Sequence, residues 1–203
     1  MIRPYRPSDR ADCFDICVRT ADAGGDATGK YSSDALMPDL FFAPYVDLDP
    51  GLAFVVDNGV RVVGYVVATA DTREFVRRYR AELLPGFAAA YPLGGPVSDD
   101  EAAMVGLGHH PEHLLIPEID AHPAHLHIDL LPEAQGQGWG RRLIDAVRAA
   151  LAARGVPAVH LTMVDANRGA RAFYDRLGFR LLSAGGGVST LGITTVVGPA
   201  QSN

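Results

Sequence analysis

From residue 124 onward the hydrophobic positions switch between two periods. "AHLHIDLL" (124–131) and "VPAVHLTMV" (156–164) read as strands, and "FRLLS" as a third. Between them, residues 139–154 and "NRGARAFYDRLG" carry apolar side chains at helical spacing, with Ala170, Phe173, Tyr174 and Leu177 on one face. Strands alternating with helices predict parallel pairing through right-handed crossovers, hence an α/β fold. "LGITTVV" (191–197) is expected as a closing antiparallel strand.

The N-terminal half is less regular. "IRPYRPSD" predicts a short strand, then a helix capped by Ser8 or Asp9 and continued by "DRADCFDICVRT". "ADAGGDATGK" is a loop, and "SSDALMPDLFFAPY" a shorter second helix. "GLAFVVDNGVRVVGYVVATAD" is two β-branched runs joined by an Asp-Asn-Gly turn, the signature of a hairpin. Residues 72–120 read as helices ("TREFVRRYRAELLPGF", "SDDEAAMVGLG") separated by a Pro/Gly loop and inserted between strands.

The 203 residues, 48% hydrophobic and 21% charged, fit one domain over 1–203. There is no apolar run long enough to span a bilayer and no apolar core to a signal peptide, so a cytoplasmic protein is expected. Cys13 and Cys17 lie four apart, a spacing of neither a redox pair nor a zinc half-site, and predict buried free thiols. A net charge of -6 with no basic run beyond "RRYR" argues against nucleic acid and favours a cationic small partner.

"LLPEAQGQGWGRRLID" raises the question of chemistry. A Walker loop needs Lys-Ser/Thr after its last glycine, where Arg141 and Arg142 stand. A dinucleotide fingerprint needs G-x-G-x-x-G. The spacing here is G-x-G-x-G, although Asp165 falls where a ribose-binding acid would. The remaining pattern is Gln135-x-x-Gly138-x-Gly140. Its glycines let successive N–H groups converge on an anion at a helix N-terminus, and a pyrophosphate suits that arrangement. The alternative is a plain strand-to-helix turn.

Taken together, "LLPEAQGQGWGRRLID" and "ANRGARAFYDRLGF" resemble the paired motifs of the GNAT-type N-acetyltransferases, which use acetyl-coenzyme A. The resemblance implies a mixed central sheet whose parallel strands, 124–131 and 157–164, splay around the coenzyme. It assigns coenzyme binding to Leu130, Leu131, Gln135, Gly136, Gln137, Gly138, Trp139, Gly140, Arg141, Asn167, Phe173 and Tyr174. Backbone N–H groups near Leu130 and Leu131 would polarise the thioester carbonyl. Tyr174 would protonate the leaving thiolate, its ordinary pKa of about 10 lying above a thiol's.

"YRPSDRADCFDICVRTADAGGDATG" is similar, more narrowly, to the acetyltransferase-like domain at the C-terminus of animal O-GlcNAcases and its free-standing bacterial relatives. The loop through Asp22, Asp26 and Thr28 would then line the acceptor groove. The alternative is that its aspartates only satisfy their own loop in Asx turns.

For the general base, His125, His127 and Asp129 share one strand face, opposite Leu126, Ile128 and Leu130, unless a bulge changes the parity. His127 and Asp129 are the candidates, against a merely hydrogen-bonded stripe. His109, His110 and His113 have no carboxylate or cysteine frame for a metal, and none is expected. No histidine lies near the cysteines in sequence, so direct transfer is preferred over a thiol intermediate.

The resulting reading is acetyl transfer to a primary amine (small molecule, lysine or N-terminus) by a monomer or homodimer that binds neither nucleic acid nor membrane. A coenzyme A-binding module without catalysis is the alternative, and a nicotinamide-dependent oxidoreductase the remoter one.

Overall fold

A computed structural model describes residues 1–95 and 97–196. Strand β1 (Ile2–Pro4) leads through a 3-10 turn into helix α1 (Arg10–Val18). Neither expected cap performs that role. The Asp9 carboxylate instead accepts from the Arg6 N–H at 2.8 Å and from the Arg3 guanidinium at 2.7 and 2.8 Å, because Arg3 on β1 faces it. The next helical stretch is broken into α2 (Leu36–Phe41) and α3 (Ala43–Leu48). Phe42 leaves helical geometry at φ -130°, because Pro44, in the first turn of α3, has no N–H for the Leu40 carbonyl and its ring would crowd that carbonyl in a continuous helix.

Strands β2 (Ala53–Asp57) and β3 (Val62–Thr69) form the predicted hairpin. The Asn58 side chain accepts from the Val60 and Arg61 N–H groups, and Gly59 supplies the positive φ of the turn. Every residue of β3 is buried, as expected of a strand covered on both faces. Helices α4 (Thr72–Arg78), α5 (Leu84–Ala90) and α6 (Asp99–His109) then fill the insertion before β4 (Ala124–Leu130). Asp71 caps α4 and Ser98 caps α6 through side-chain acceptance of backbone N–H groups.

Helix α7 (Trp139–Ala153) buries Leu143, Ile144, Val147 and Leu151 over β2, β3 and β4. Each such side chain contributes roughly 1.5–3 kcal/mol of hydrophobic stabilisation. Strand β5 (Ala158–Val164), helix α8 (Arg168–Leu177), β6 (Arg180–Gly185) and β7 (Val188–Thr194) follow. The seven strands run in the order β1-β2-β3-β4-β5-β7-β6.

The last strand is antiparallel, as predicted, but it starts at Val188 and inserts between β5 and β6. Among the described residues only β4 and β5 therefore pair in parallel. Part of the predicted stretch, Val197, lies outside the described residues.

The β4–β5 pairing is the feature that creates a site. It holds for Ala124↔Val159 and His125↔His160 only. Beyond those pairs β4 stays registered on β3 through Leu130, while β5 follows β7 through Val164, and the two strands part. The β3–β4 register runs without a bulge, so the expected parity of β4 holds: His125, His127 and Asp129 face α1–α3, and Leu126, Ile128 and Leu130 face the α7 side. Cys13 and Cys17 are buried free thiols of α1. Among the described residues no helix is long and apolar enough to cross a membrane.

Candidate active site

A cleft of about 560 Å³ opens where β4 and β5 part. Its floor is Ile128, Asp129 and Leu130, one wall is the turn from Gln135 to Arg141, and the other is the α8 face carrying Ala170, Phe173, Tyr174 and Leu177. The helical face predicted from sequence thus lines a cavity as well as packing on the sheet.

The turn places three glycines at the mouth of α7. Gly136 and Gly138 have φ of 71° and 79°, where a side chain is strained, and Gly138 forms the mouth of α7. Gly140 is needed for a different reason: a Cβ there would lie 2.9 Å from the Phe173 ring. Among the described residues, no N–H group from Gly136 through Arg141 donates to a protein acceptor, and the first bond in the run is Arg142 N–H to the Gly138 carbonyl at 3.2 Å. These donors converge at a helix N-terminus, whose dipole favours negative charge. Arg141 and Arg176 line the same end, a local positive field in a chain of net charge -6. The arrangement fits the pyrophosphate of a coenzyme.

Individual side chains divide. The Gln135 amide donates to the Leu130 carbonyl at 3.0 Å, tying the turn to the end of β4. Gln137 turns away from the cleft, donating to the Glu133 carbonyl and accepting from the Trp139 indole at 3.3 Å. Arg142 also faces away, stacked 4.9 Å from the Trp139 ring centre. Asn167 caps α8 through the Ala170 N–H at 2.9 Å. Asp165, the residue a ribose reading would require, instead accepts from the Ser189 hydroxyl at 2.6 Å and does not line the cleft.

Backbone polarity on β4 follows from register. Leu131 N–H donates to the Val63 carbonyl at 3.0 Å, so odd-numbered residues of β4 bond to β3 and even-numbered ones point toward the gap. The expectation that Leu131 offers a free N–H is therefore corrected. Ile128 and Leu130 present theirs to the opening, and both line the cleft.

Tyr174 is 8% exposed and lines the cleft. Burial, and then the charge of Asp129, hold its pKa above the ordinary tyrosine value, so it stays protonated. The Asp129 carboxylate accepts from the Tyr65 hydroxyl at 2.6 Å. Burial pushes its pKa up, while hydrogen bonds from Tyr65 and Thr20 pull it down.

The rest of the polar stripe is engaged away from the cleft. The Thr72 hydroxyl is 2.7 Å from the Pro123 carbonyl and 2.8 Å from His125 Nδ1, and the Tyr45 hydroxyl is 2.7 Å from His125 Nε2. Thr72 has one proton to give, to the carbonyl. That network assigns the His125 proton to Nδ1, and burial holds the pKa of the ring well below its ordinary value, so it is neutral.

His127 does not reach the cleft. It lines a separate small cavity with Phe41, Tyr45 and Tyr79, where burial lowers its pKa to about 4. The His109 and His113 rings bond to backbone carbonyls.

The loop expected on the acceptor side meets the cleft through other residues than the expected ones. Thr20, Ala23 and Gly24 line the cleft, but Asp22, Asp26 and Thr28 do not. The Asp22 carboxylate binds Lys30 Nζ at 2.7 Å, and Asp26 accepts from the Thr28 N–H at 2.9 Å and its hydroxyl at 2.6 Å. The Asx-turn alternative holds for Asp26. Ala23 carries a positive φ of 52°, rare for a residue with a side chain. Sequence reasoning passed over this apolar edge of the loop, and also Arg176, because neither carries a spacing signal of its own.

Residues 23–179 match the Acetyltransferase (GNAT) family. The chain belongs to the GNAT acetyltransferase family. It is 54% identical to SsHAT, with 97% of this chain and 98% of that one covered and a TM-score of 0.92. Rat (Rattus norvegicus) Protein O-GlcNAcase is 23% identical over 180 residues, which are 87% of this chain and 20% of that protein. The chain thus spans about a fifth of the length of the curated relatives it matches. A Drosophila melanogaster polyamine N-acetyltransferase that forms N-acetylagmatine shares the fold, with a TM-score of 0.62, 19% identity and coverage of 96% and 99%.

Proposed function

We propose that this GNAT acetyltransferase moves the acetyl group of acetyl-coenzyme A directly to a primary amine. One observation carries the reading. A single cleft joins an anion-binding turn with free N–H groups to a protonated tyrosine and a buried carboxylate at the gap between β4 and β5. The coenzyme supplies an activated acyl group, and the chain's residues divide the remaining work.

The turn from Gly136 to Arg141, with Arg176, holds the pyrophosphate. Trp139 and Phe173 flank the coenzyme, and the N–H groups of Ile128 and Leu130 polarise the thioester carbonyl. Asp129 accepts one proton from the incoming ammonium, and the freed lone pair attacks the carbonyl carbon. As the C–S bond breaks, Tyr174 gives its proton to the sulfur. The second proton lost by the nitrogen, as the amide forms, restores Tyr174. One proton then leaves Asp129 for solvent, so the reaction balances.

Asp129 takes the role of base in place of His127, which the fold puts in another cavity and keeps neutral. The Cys13 and Cys17 thiols are buried, and burial raises both pKa values, which argues against an acetyl-thiol intermediate. The amine is recognised without Asp22 or Asp26, whose carboxylates are engaged within the loop. The test is calorimetry with acetyl-coenzyme A and with NAD, followed by thiol release across a panel of amines that includes agmatine and lysine peptides. Binding of the coenzyme with release driven by an amine is expected. Tighter binding of NAD refutes the reading, and coenzyme binding without release to any amine reduces it to a binding module.

A further inference from the structure

The reaction needs Asp129 to be ionised although it sits among apolar and neutral groups. Tyr174 of α8 and Cys17 of α1 both feel its charge, as does Tyr65 of β3, and burial pushes the pKa of each above its ordinary value. His127, next on the same strand face, is neutral above about pH 4. No cation among these neighbours balances the carboxylate. Of the two hydroxyls that lower its pKa, Thr20 gives its proton to the Ile16 carbonyl at 2.8 Å, and Tyr65 is the one that donates to the carboxylate. Tyr65 and Asp129 are direct partners in the β3–β4 register, so their side chains leave the sheet side by side on the same face. Tyr65 is fully buried, wedged against Phe42 with ring centres 4.9 Å apart, and its hydroxyl lies 2.6 Å from Asp129 Oδ2.

We infer that Tyr65 is a positioning residue for the base: its hydroxyl holds Asp129 Oδ2 and leaves Oδ1 for the acceptor amine. The warrant is geometric. A phenol that cannot rotate away, because Phe42 and α1 close over it, donates to one named oxygen. A short O–H···O⁻ bond favours the ionised carboxylate that the reaction requires. Phenylalanine would keep the ring packing and remove only the donor.

The inference rests on the proposed reading for its catalytic meaning, but its decisive measurement needs no acceptor. In protein with ¹³C-labelled aspartate side chains, the Asp129 carboxyl resonance is identified by its loss in Asp129→Asn and followed against pH. Tyr65→Phe should raise the Asp129 midpoint by about one pH unit, the scale of a hydrogen bond to a charged group. Acetyl-coenzyme A affinity should not change. With agmatine as probe amine, the acid limb of the thiol-release profile should move by the same amount and the alkaline plateau should be largely kept.

An unchanged Asp129 midpoint in folded Tyr65→Phe overturns the inference. If that variant does not fold, the Tyr65 hydroxyl proton of the native chain decides. Its resonance should move upfield in Asp129→Asn, and no movement overturns the inference equally. Absence of thiol release with every amine would sink the catalytic reading while leaving the Tyr65–Asp129 result standing.

Discussion

His127 gives the sharpest test of the division between catalytic and structural residues on β4. If its imidazole is buried and neutral, with a folded pKa of about 4 against an ordinary 6.5, it must cost stability in acid. The sign follows from proton counting. The unfolded chain binds a proton on this residue below about pH 6.5 and the folded chain does not until about pH 4, so stability falls as pH falls through that window. Between pH 7.5 and 5.5 the loss from this one group is about 1.3 kcal/mol.

His113, His125 and His160 are lowered by burial too and add in the same direction. Asp39 and Asp129, raised by burial, act oppositely, gaining stability as they protonate. Glu112, held at about 2 by the Arg80 guanidinium, contributes its loss only at lower pH. The comparison is therefore made between the native chain and His127→Leu, which removes one titration and keeps the cavity apolar. Urea unfolding at pH 7.5 and 5.5 should show the variant losing about 1.3 kcal/mol less than the native chain over that step. Equal losses would mean that His127 is solvated or charged in the folded state. The assignment of the base to Asp129 alone would then fail with it.

Tyr174→Phe should leave acetyl-coenzyme A affinity intact and lower kcat by roughly 10²-fold, the effect of losing a general acid; stopped-time thiol assays with a working amine check this, and equal turnover returns Tyr174 to a packing role. Gly138→Glu should abolish coenzyme binding in calorimetry, because it puts a charge and a side chain at the mouth of α7 and strains a φ of 79°. Unchanged affinity in a folded variant would move the pyrophosphate elsewhere. Lys30→Met removes the contacts of Nζ with Asp22 at 2.7 Å and Asp100 at 3.5 Å that join the cleft-lining loop to α6. Amide exchange should quicken across residues 22–30 with little change in thermal midpoint, and unaltered exchange would show that the loop is held by other contacts.

Local pattern alone determined a good part of this. The hairpin at 53–69, the glycine turn with its helix, and the α8 face of Ala170, Phe173, Tyr174 and Leu177 were all legible. Period and turn chemistry are properties of neighbouring residues, and the proposed anion site is a local device of one turn and one helix end. Parity likewise predicted that His125, His127 and Asp129 share a face.

What parity could not decide is which of the three meets the cleft. That choice belongs to the point where β5 leaves β4 after His160 and to the aromatic cluster of Phe41, Tyr45 and Phe75 around His125 and His127. The insertion of β7 between β5 and β6, the Lys30 clasp on Asp22 and the Tyr65 hydroxyl on Asp129 are likewise contacts between distant segments. Sequence spacing sets the direction in which a side chain leaves its element. Only the packing of the whole chain sets what it meets there, and whether it remains charged.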